Sequence, residues 1–578
     1  MAPPPLSAKG PLKTPYTGVE LLNTPYLNKG TAFTVEERHE FGLTSLLPSA
    51  VHSLQQQLDR AWGQYQSRGD DLSRNTFLTS LKEQNEVLYY RLVLDHLSDV
   101  FSVVYTPTEG EAIENYSHIF RRPEGIFLNV HEPGKVDEAL SKGGNPEDID
   151  YIVVTDGEEI LGIGDQGVGG VLISVAKLVL MTICAGVHPN RVLPVVLDCG
   201  TNNQKHLDDP LYLGLREKRV RGEAYDTLID TYIKSARKRF PKAILHFEDF
   251  GLTNARRILD KYRSEAPVFN DDVQGTGCVT LAAIFAALDV SKQQLKDLRM
   301  VVFGAGSAGV GIADQVRDAI AARQNISKEA AAKQIYLIDK PGLLTTETEG
   351  LSAAQEIFAK DPQEFHGGEQ KKGQTGLLEV IKQVKPNVLI GTSTVPGAFT
   401  QEIVQEMAKH TPRPIILPLS NPTRLHEAVP KDLYHWTDGQ ALVATGSPFA
   451  AVKGPWGEHG EEIEIVPAEC NNSVVFPGIG LGAVLSRAKL ITDEMLVAAV
   501  EGVASLSPAK EDPAMPLLPG VDAVRPVSVR VARCVILAAV KGGVAMQEGI
   551  PTGEAELDEW IRQQMWEAEY REMKLVRK

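Results

Sequence analysis

From about residue 270 onward the chain alternates in a way that few folds can accommodate. Short β-branched runs (MVVFGAG, IYLID, NVLIGTS, PIILPLS) take turns with helical segments such as GCVTLAAIFAAL, GLLEVIKQV and QEIVQEMAKH. Strands separated by helices of this length need crossover connections, which predicts a Rossmann-type doubly wound parallel α/β sheet. The upstream half reads differently. EERHEFGL, AVHSLQQQLDRAWGQYQS and TFLTSLKEQNEVLYYRLVLDHLSDVF show helical spacing over the first hundred residues. FSVVYTPTEG, GIFLNV, DIDYIVVTDGEEILGIGD, VLPVVLD and AILHFEDF then read as strands, with a helix from Glu223 to Arg239. The expected division is an α/β domain over 1–270 with a helical region 1–100, a dinucleotide-binding domain over 271–545, and a helical tail over 546–578.

One apolar stretch, VGGVLISVAKLVLMTICAGV at Val168–Val187, has the length of a membrane span but carries a single charge, Lys177, at its middle. A charge at a bilayer centre is costly, and no flanking basic residues set a topology. A helix buried on all sides in a protein core is the better reading, and no membrane partner is expected. A lysine in apolar surroundings is easier to deprotonate and can accept a proton. Pairing with a buried carboxylate is the structural alternative.

Three glycine patterns compete for a dinucleotide. Gly162-x-Gly164-x-x-Gly167 lies among Asp156, Glu158, Glu159 and Asp165, which would repel a pyrophosphate. Gly478-x-Gly480-x-Gly482 lacks the full spacing and suits close packing. The uncharged loop Gly304, Ala305, Gly306, Ser307, Ala308, Gly309 opens directly into a helix, whose N-terminus attracts phosphate. It is the expected cofactor loop. Asp339 ends the next strand, where an acidic residue bonds the ribose hydroxyls of NAD; it lies further on than the usual spacing of about 20 residues because RDAIAARQNISKEAAAKQ reads as a helical insert. Lys340 beside it favours NADP, so either NAD or NADP is expected.

Two acidic pairs close strands: Glu248 and Asp249 in HFEDF, Asp271 and Asp272 in FNDDVQG. Such carboxylates meeting at one point would repel unless a hard cation lay between them, and oxygen donors suit Mg²⁺ or Mn²⁺. The alternative is that Asn270 and Asp271 only cap the following helix.

Acidic residues outnumber basic ones, 75 to 59, for a net charge of −16, which speaks against nucleic acid. The five cysteines are odd in number and dispersed, as in a reducing compartment. The leading MAPPPLSAKGPLKTPYTG lacks an apolar core and arginine, and its prolines forbid a long amphipathic helix. Cytoplasm is expected, with the mitochondrial matrix as the alternative.

These segments, together with LNKGTAF at Leu27, YTPT at Tyr105, LSNPT around Asn421, TGSPF, and Asn471–Asn472 before FPG, resemble malic enzymes in sequence and order over nearly the whole chain, the fungal members most. The resemblance implies an N-terminal malic-enzyme domain before the dinucleotide domain. It also implies oxidative decarboxylation of L-malate to pyruvate and CO₂, with NAD(P)⁺ and Mg²⁺ or Mn²⁺, in a homodimer or homotetramer. By that likeness Lys177 takes the C2 hydroxyl proton, Tyr105 protonates enolpyruvate, and Glu248, Asp249 and Asp272 hold the metal with Asp271 behind them. Asn421, Asn471 and Asn472 fall at substrate positions, Asn421 also near the cofactor. Read alone, Tyr105 is an aromatic ending a strand and Asn421 a turn residue.

Two departures stand out. Many malic enzymes carry arginine where this chain has Glu159, so the substrate carboxylate must be met otherwise, Arg256 or Arg257 being candidates. Gln84 replaces the arginine of fumarate-activated animal members, which speaks against that activation. The alternatives are a malolactic enzyme, yielding lactate with bound NAD, and a non-catalytic dinucleotide-binding regulator.

Overall fold

A computed structural model of the chain describes residues 10–365, 375–421, 423–457 and 459–576. It divides into two compact units. Met1–Gly251, Ala266–Val268 and Gln547–Lys578 form the first; Leu252–Glu265 and Phe269–Met546 form the second. Relative to the expected domain limits, Leu252–Glu265 moves to the second unit, and the tail belongs with the first. Lys9, Pro422 and the side chain of Ser307 lie outside the described residues.

The first unit begins helical, as its spacing predicts. Helices Leu54–Gln66, Asp71–Gln84 and Glu86–Asp95 each start at a capping side chain, Ser53, Asp70 and Asn85, which accepts a backbone N–H of the first turn. Each such cap stabilises its helix by about 1 kcal/mol. The segment read as strand FSVVY is instead helix α1 (Leu97–Val104). Val100, Phe101, Val103 and Val104 are all buried, a spacing that makes one helical face, and this packing overrides their β preference. Tyr105 ends α1, and helix α2 (Thr108–Glu114) follows.

Strands β1 (Ile126–Asn129), β2 (Tyr151–Thr155), β3 (Val192–Asp198) and β4 (Ile244–Phe247) pair in parallel in the order β1-β3-β2-β4, and β5 (Val268–Asn270) adds at the edge beside β4. Strands β2 and β4 are buried at every residue, as expected of parallel strands covered on both faces. Between β2 and β3 runs helix α3 (Val171–Ala185), the apolar stretch with Lys177 at its centre. Gly167–Ala185 has a mean hydropathy of 2.2 and is 89% buried within the protein. The helix stops at Gly186, whose left-handed φ of 62° costs glycine little. Met565 packs against Gly186, and the Trp566 N–H donates to the Gly186 carbonyl at 2.7 Å. The tail therefore braces the end of α3. It is helical only over Glu554–Gln564; beyond that Met573–Leu575 pairs in parallel with Leu12–Thr14. The expected continuous helix yields because Met565, Trp566 and Met573 are buried.

The second unit is built on a seven-stranded sheet. Its strands are β6 (Met300–Phe303), β7 (Ile335–Asp339), β8 (Gly342–Leu343), β9 (Val388–Gly391), β10 (Ile415–Pro418), β11 (Leu442–Thr445) and β12 (Ala468–Glu469). The order is β12-β11-β10-β9-β6-β7-β8, parallel except for β8 against β7. The chain builds outward from β6 to β7 and then returns to place β9 on β6's other side. That switch point is where doubly wound sheets bind ligands, at the carboxyl ends of the strands. Helix α4 (Thr276–Ser291) precedes β6, and α5 (Ser307–Gln324) follows it. The insert before Asp339 is a long α5 that ends at Asn325 (φ 53°), followed by the short helix Lys328–Ala332. Gly478 and Gly482, on helix Phe476–Ser486, face Val531 and Val535 of helix Val524–Lys541, so the third glycine pattern serves packing.

Candidate active site

In the first unit three expected site residues converge. Lys177 is 1% exposed, and its Nζ lies 3.0 Å from Glu248 Oε1. The same Nζ stands 5.4 Å from the centroid of the Tyr105 ring. The geometry thus shows the ion-pair partner that the sequence left as the alternative reading of Lys177. Removing either partner from a buried pair leaves an uncompensated charge, so the geometry is expensive to disturb. Glu248 follows β4 directly, and its N–H donates to the Val154 carbonyl of β2 at 2.9 Å, which extends the strand pairing to the carboxylate itself.

Asp249 comes next with φ 53°, a left-handed conformation uncommon for a residue with a side chain. Its carbonyl accepts from the Glu159 N–H at 3.2 Å, and its Oδ2 accepts from the Leu161 N–H at 3.1 Å. The glycine-rich loop after β2 therefore grips the loop after β4. Its acidic residues, a liability for phosphate binding, are what fix it. Asp165 receives bonds from Arg219 Nε at 2.9 Å and Nη2 at 2.8 Å, from the Thr201 hydroxyl at 2.8 Å and from the Asn202 N–H at 2.8 Å. Burial opposes its ionisation, but Arg219 and these donors outweigh it and hold its pKa below the ordinary value. Arg219 also donates to the Asp156 carbonyl at 2.8 Å, and Glu158 pairs with Arg221. Burial pushes Asp156 up to about 6, against Arg219 and the Tyr225 hydroxyl.

Glu159 is half-buried beside this cluster. Burial, then the charges of Glu158 and Asp165, raise its pKa, with Arg219 opposing. Arg256 donates to Asp314 at 2.8 Å and to Asp260 at 3.0 Å. Arg257 donates to Asn254 at 2.9 Å. The cation that sequence reasoning missed is Arg219. It is 54 residues from Asp165 in the chain, and nothing in the spacing joins them.

In the second unit, Asp271 and Asp272 open the turn that leads into α4, and the Asn270 side chain accepts the Val273 N–H at 2.9 Å. The capping role is thus Asn270's. The Asp271 carboxylate lies against Gly275, where a Cβ would collide with it. Asn472 Nδ2 donates to the Asp271 carbonyl at 3.3 Å and to the Thr276 hydroxyl at 3.1 Å, which ties the two segments. Asn471 caps the turn Asn472–Val474 through the Ser473 N–H at 3.0 Å and donates to Glu469 at 3.1 Å.

The Gly304–Gly309 loop leaves β6 at the switch point. Gly304 takes φ 108°, and a Cβ on it would strike the Thr392–Ser393 backbone that follows β9; one on Gly309 would strike the Gly304 carbonyl. The Thr392 hydroxyl donates to the Gly304 carbonyl at 2.6 Å, and Gln355 Nε2 to the Ala305 carbonyl at 2.8 Å. With the carbonyls so engaged, α5 starts at Gly306 with no side-chain cap and no heavy atom within 4 Å of that glycine's Cβ position. Uncapped N–H groups over open space make a fitting cradle for a pyrophosphate. Asp339 ends β7, its Oδ1 accepting the Lys340 N–H at 2.8 Å. Asn421 follows β10, exposed, and accepts the Ser447 hydroxyl at 2.6 Å. Sequence reasoning also passed over Glu427, fully buried, whose Oε1 accepts from the Ser393 N–H at 2.8 Å and from its hydroxyl at 2.8 Å. It holds the loop after β9 in place.

A doubly wound nucleotide-type sheet, and a separate parallel sheet carrying a buried lysine–carboxylate pair, define a two-unit α/β protein. The chain belongs to the malic enzyme family. It matches the family models for the malic enzyme N-terminal domain over residues 82–263 and for the malic enzyme NAD-binding domain over residues 273–540. Among curated proteins it is 49% identical to the "NAD-dependent malic enzyme, mitochondrial" of Saccharomyces cerevisiae, over 98% of this chain and 85% of that protein. It is 47% identical to "NAD-dependent malic enzyme 3" of Bacillus subtilis, over 98% and 99% respectively. In fold it is similar to the crystal structure of the Entamoeba histolytica malic enzyme, with a TM-score of 0.55 at 22% identity, covering 91% of this chain and 90% of the other.

Proposed function

We propose that the protein oxidatively decarboxylates L-malate to pyruvate and CO₂ with NAD⁺ and a divalent cation. The observation that carries this reading is the buried Lys177–Glu248 pair beneath Tyr105 in a chain of this family. Glu248 and Asp249 after β4, with Asp272 after β5, are all oxygen donors, the set that Mg²⁺ or Mn²⁺ prefers. When bound, the cation would supply polarisation of the malate C2 oxygen and of the enolate, and NAD⁺ would supply the hydride acceptor.

The chain's own residues do the rest. In its neutral amine form Lys177 Nζ takes the C2 hydroxyl proton, and the Tyr105 hydroxyl returns a proton to C3 of enolpyruvate. Asp271 orients the carboxylate set, and Asn421, Asn471 and Asn472 bind the substrate carboxylates. The Gly304–Gly309 backbone holds the pyrophosphate, with Asn421 beside the nicotinamide end. Glu159 opposes a dianionic substrate if ionised, and its place among hydrogen-bonded loops suits a structural part. Glu159→Ala should therefore lower kcat/KM for malate by less than about ten-fold; a loss of about 100-fold, roughly 2.7 kcal/mol, would make Glu159 part of the chemistry.

Asp339 at the end of β7 favours NAD⁺ over NADP⁺, as do the names of the relatives. Steady-state assays with both cofactors test this. NAD⁺ should give the higher kcat/KM, and Asp339→Ala should weaken NAD⁺ by about ten-fold, some 1.4 kcal/mol, while narrowing the gap to NADP⁺. A wild-type preference for NADP⁺ would overturn the reading. None of the five cysteines forms a disulfide, which suits cytoplasm or mitochondrial matrix alike. A homodimer or homotetramer is proposed on the family likeness alone.

A further inference from the structure

Behind Glu248 lie two polar side chains, Tyr151 and His246, that the reaction as described does not use. The Tyr151 hydroxyl is 2.9 Å from His246 Nδ1, His246 Nε2 is 2.7 Å from Glu248 Oε2, and Glu248 Oε1 is 3.0 Å from Lys177 Nζ. Tyr151 and His246 are fully buried, and Glu248 is 2% exposed. The sheet dictates this alignment. His246 and Glu248 are two residues apart at the end of β4, so they share a face. Val153 is the register partner of His246, and Tyr151, two residues before it on β2, points to that same face. An ionised carboxylate only accepts, so Nε2 carries a hydrogen; in the neutral ring Nδ1 then accepts from the Tyr151 hydroxyl.

We propose that His246, held by Tyr151, is a positioning residue for the divalent cation: by holding Oε2 of Glu248 it fixes the orientation of the carboxylate that would bind the cation. The inference rests on the reading of Glu248 as a metal ligand. A glutamate has several rotatable bonds and, unheld, would spread its carboxylate over many orientations; a donor on a buried strand removes that freedom before a cation arrives. Hydrogen-bond partners behind a metal ligand typically contribute about 10–100-fold in metal affinity.

Mn²⁺ binding to the full-length protein, followed by the paramagnetic resonance of free Mn²⁺ without malate or NAD⁺, tests this apart from turnover. His246→Leu should raise the Mn²⁺ Kd by about 10–100-fold, and His246→Gln, which keeps a donor, should restore most of the loss. Thermal unfolding of each variant without metal reports a merely structural effect. Glu248→Gln serves as the reference. If it loses Mn²⁺ while His246→Leu binds with the wild-type Kd, the positioning role is wrong and Glu248 remains a ligand. If Glu248→Gln itself binds normally, the ligand reading falls first. Should His246→Leu fail to fold, Tyr151→Phe removes only the hydroxyl that holds the ring; a several-fold weaker Kd is expected, and an unchanged one overturns the proposal.

Discussion

Replacing Lys177 with alanine should lower kcat for malate by about 10²–10⁴-fold, the contribution of a positioned proton-transfer group. The residue sits at the centre of a helix buried on nearly every side, with Glu248 3.0 Å from its amine and the Tyr105 ring above it. The same substitution strips a buried carboxylate of its ion partner and should cost about 3–5 kcal/mol of stability. The two effects separate in Lys177→Gln. A glutamine amide still donates a hydrogen bond towards Glu248, so the melting temperature should recover much of its loss, whereas the amide accepts no proton and turnover should stay low. Kinetics and thermal unfolding on both variants read the difference. If Lys177→Ala turned over malate at the wild-type rate, the proposed chemistry would have no base.

Stripping divalent cations should be as damaging. Treatment with EDTA is expected to reduce turnover by on the order of 10³-fold, equivalent to about 4 kcal/mol of transition-state stabilisation. Added Mn²⁺ or Mg²⁺ should restore it. Asp249→Asn should require a much higher Mn²⁺ concentration for the same rate. Asp249 is a demanding site to alter in any other way, because its backbone is left-handed and bonded to Glu159 and Leu161. Asparagine tolerates that conformation better than most residues, so Asp249→Asn tests charge with the least disturbance of shape. Full activity after exhaustive chelation would remove the metal from the mechanism.

Much of the molecule is legible in its sequence because a few residues are energetically out of place. One lysine in twenty apolar residues announces itself, and its burial follows from the length of the run. The doubly wound sheet declares itself through alternation, and the loop after β6 stands out by its absence of charge. Other features depend on partners that sequence cannot supply. Helix α1 reads as a strand because Val103 and Val104 favour β structure locally, and only packing reveals that Val100 to Val104 form a buried helical face. Arg219 looks like one of several basic residues in REKRVR until Asp165, far off in the chain, is seen across from it. His246 is a lone polar residue in a buried strand, and its meaning depends on the register that sets Tyr151 beside it. The tail reads as one helix from its charge pattern, yet ends early where Met565 and Trp566 turn inward to Gly186.

The most direct test is a steady-state assay with L-malate, Mn²⁺ and NAD⁺ that follows NADH absorbance and product identity together. One pyruvate and one NADH for each malate consumed is the expected result. Lactate formed without net NADH, or no turnover in a protein that still binds Mn²⁺, would contradict it.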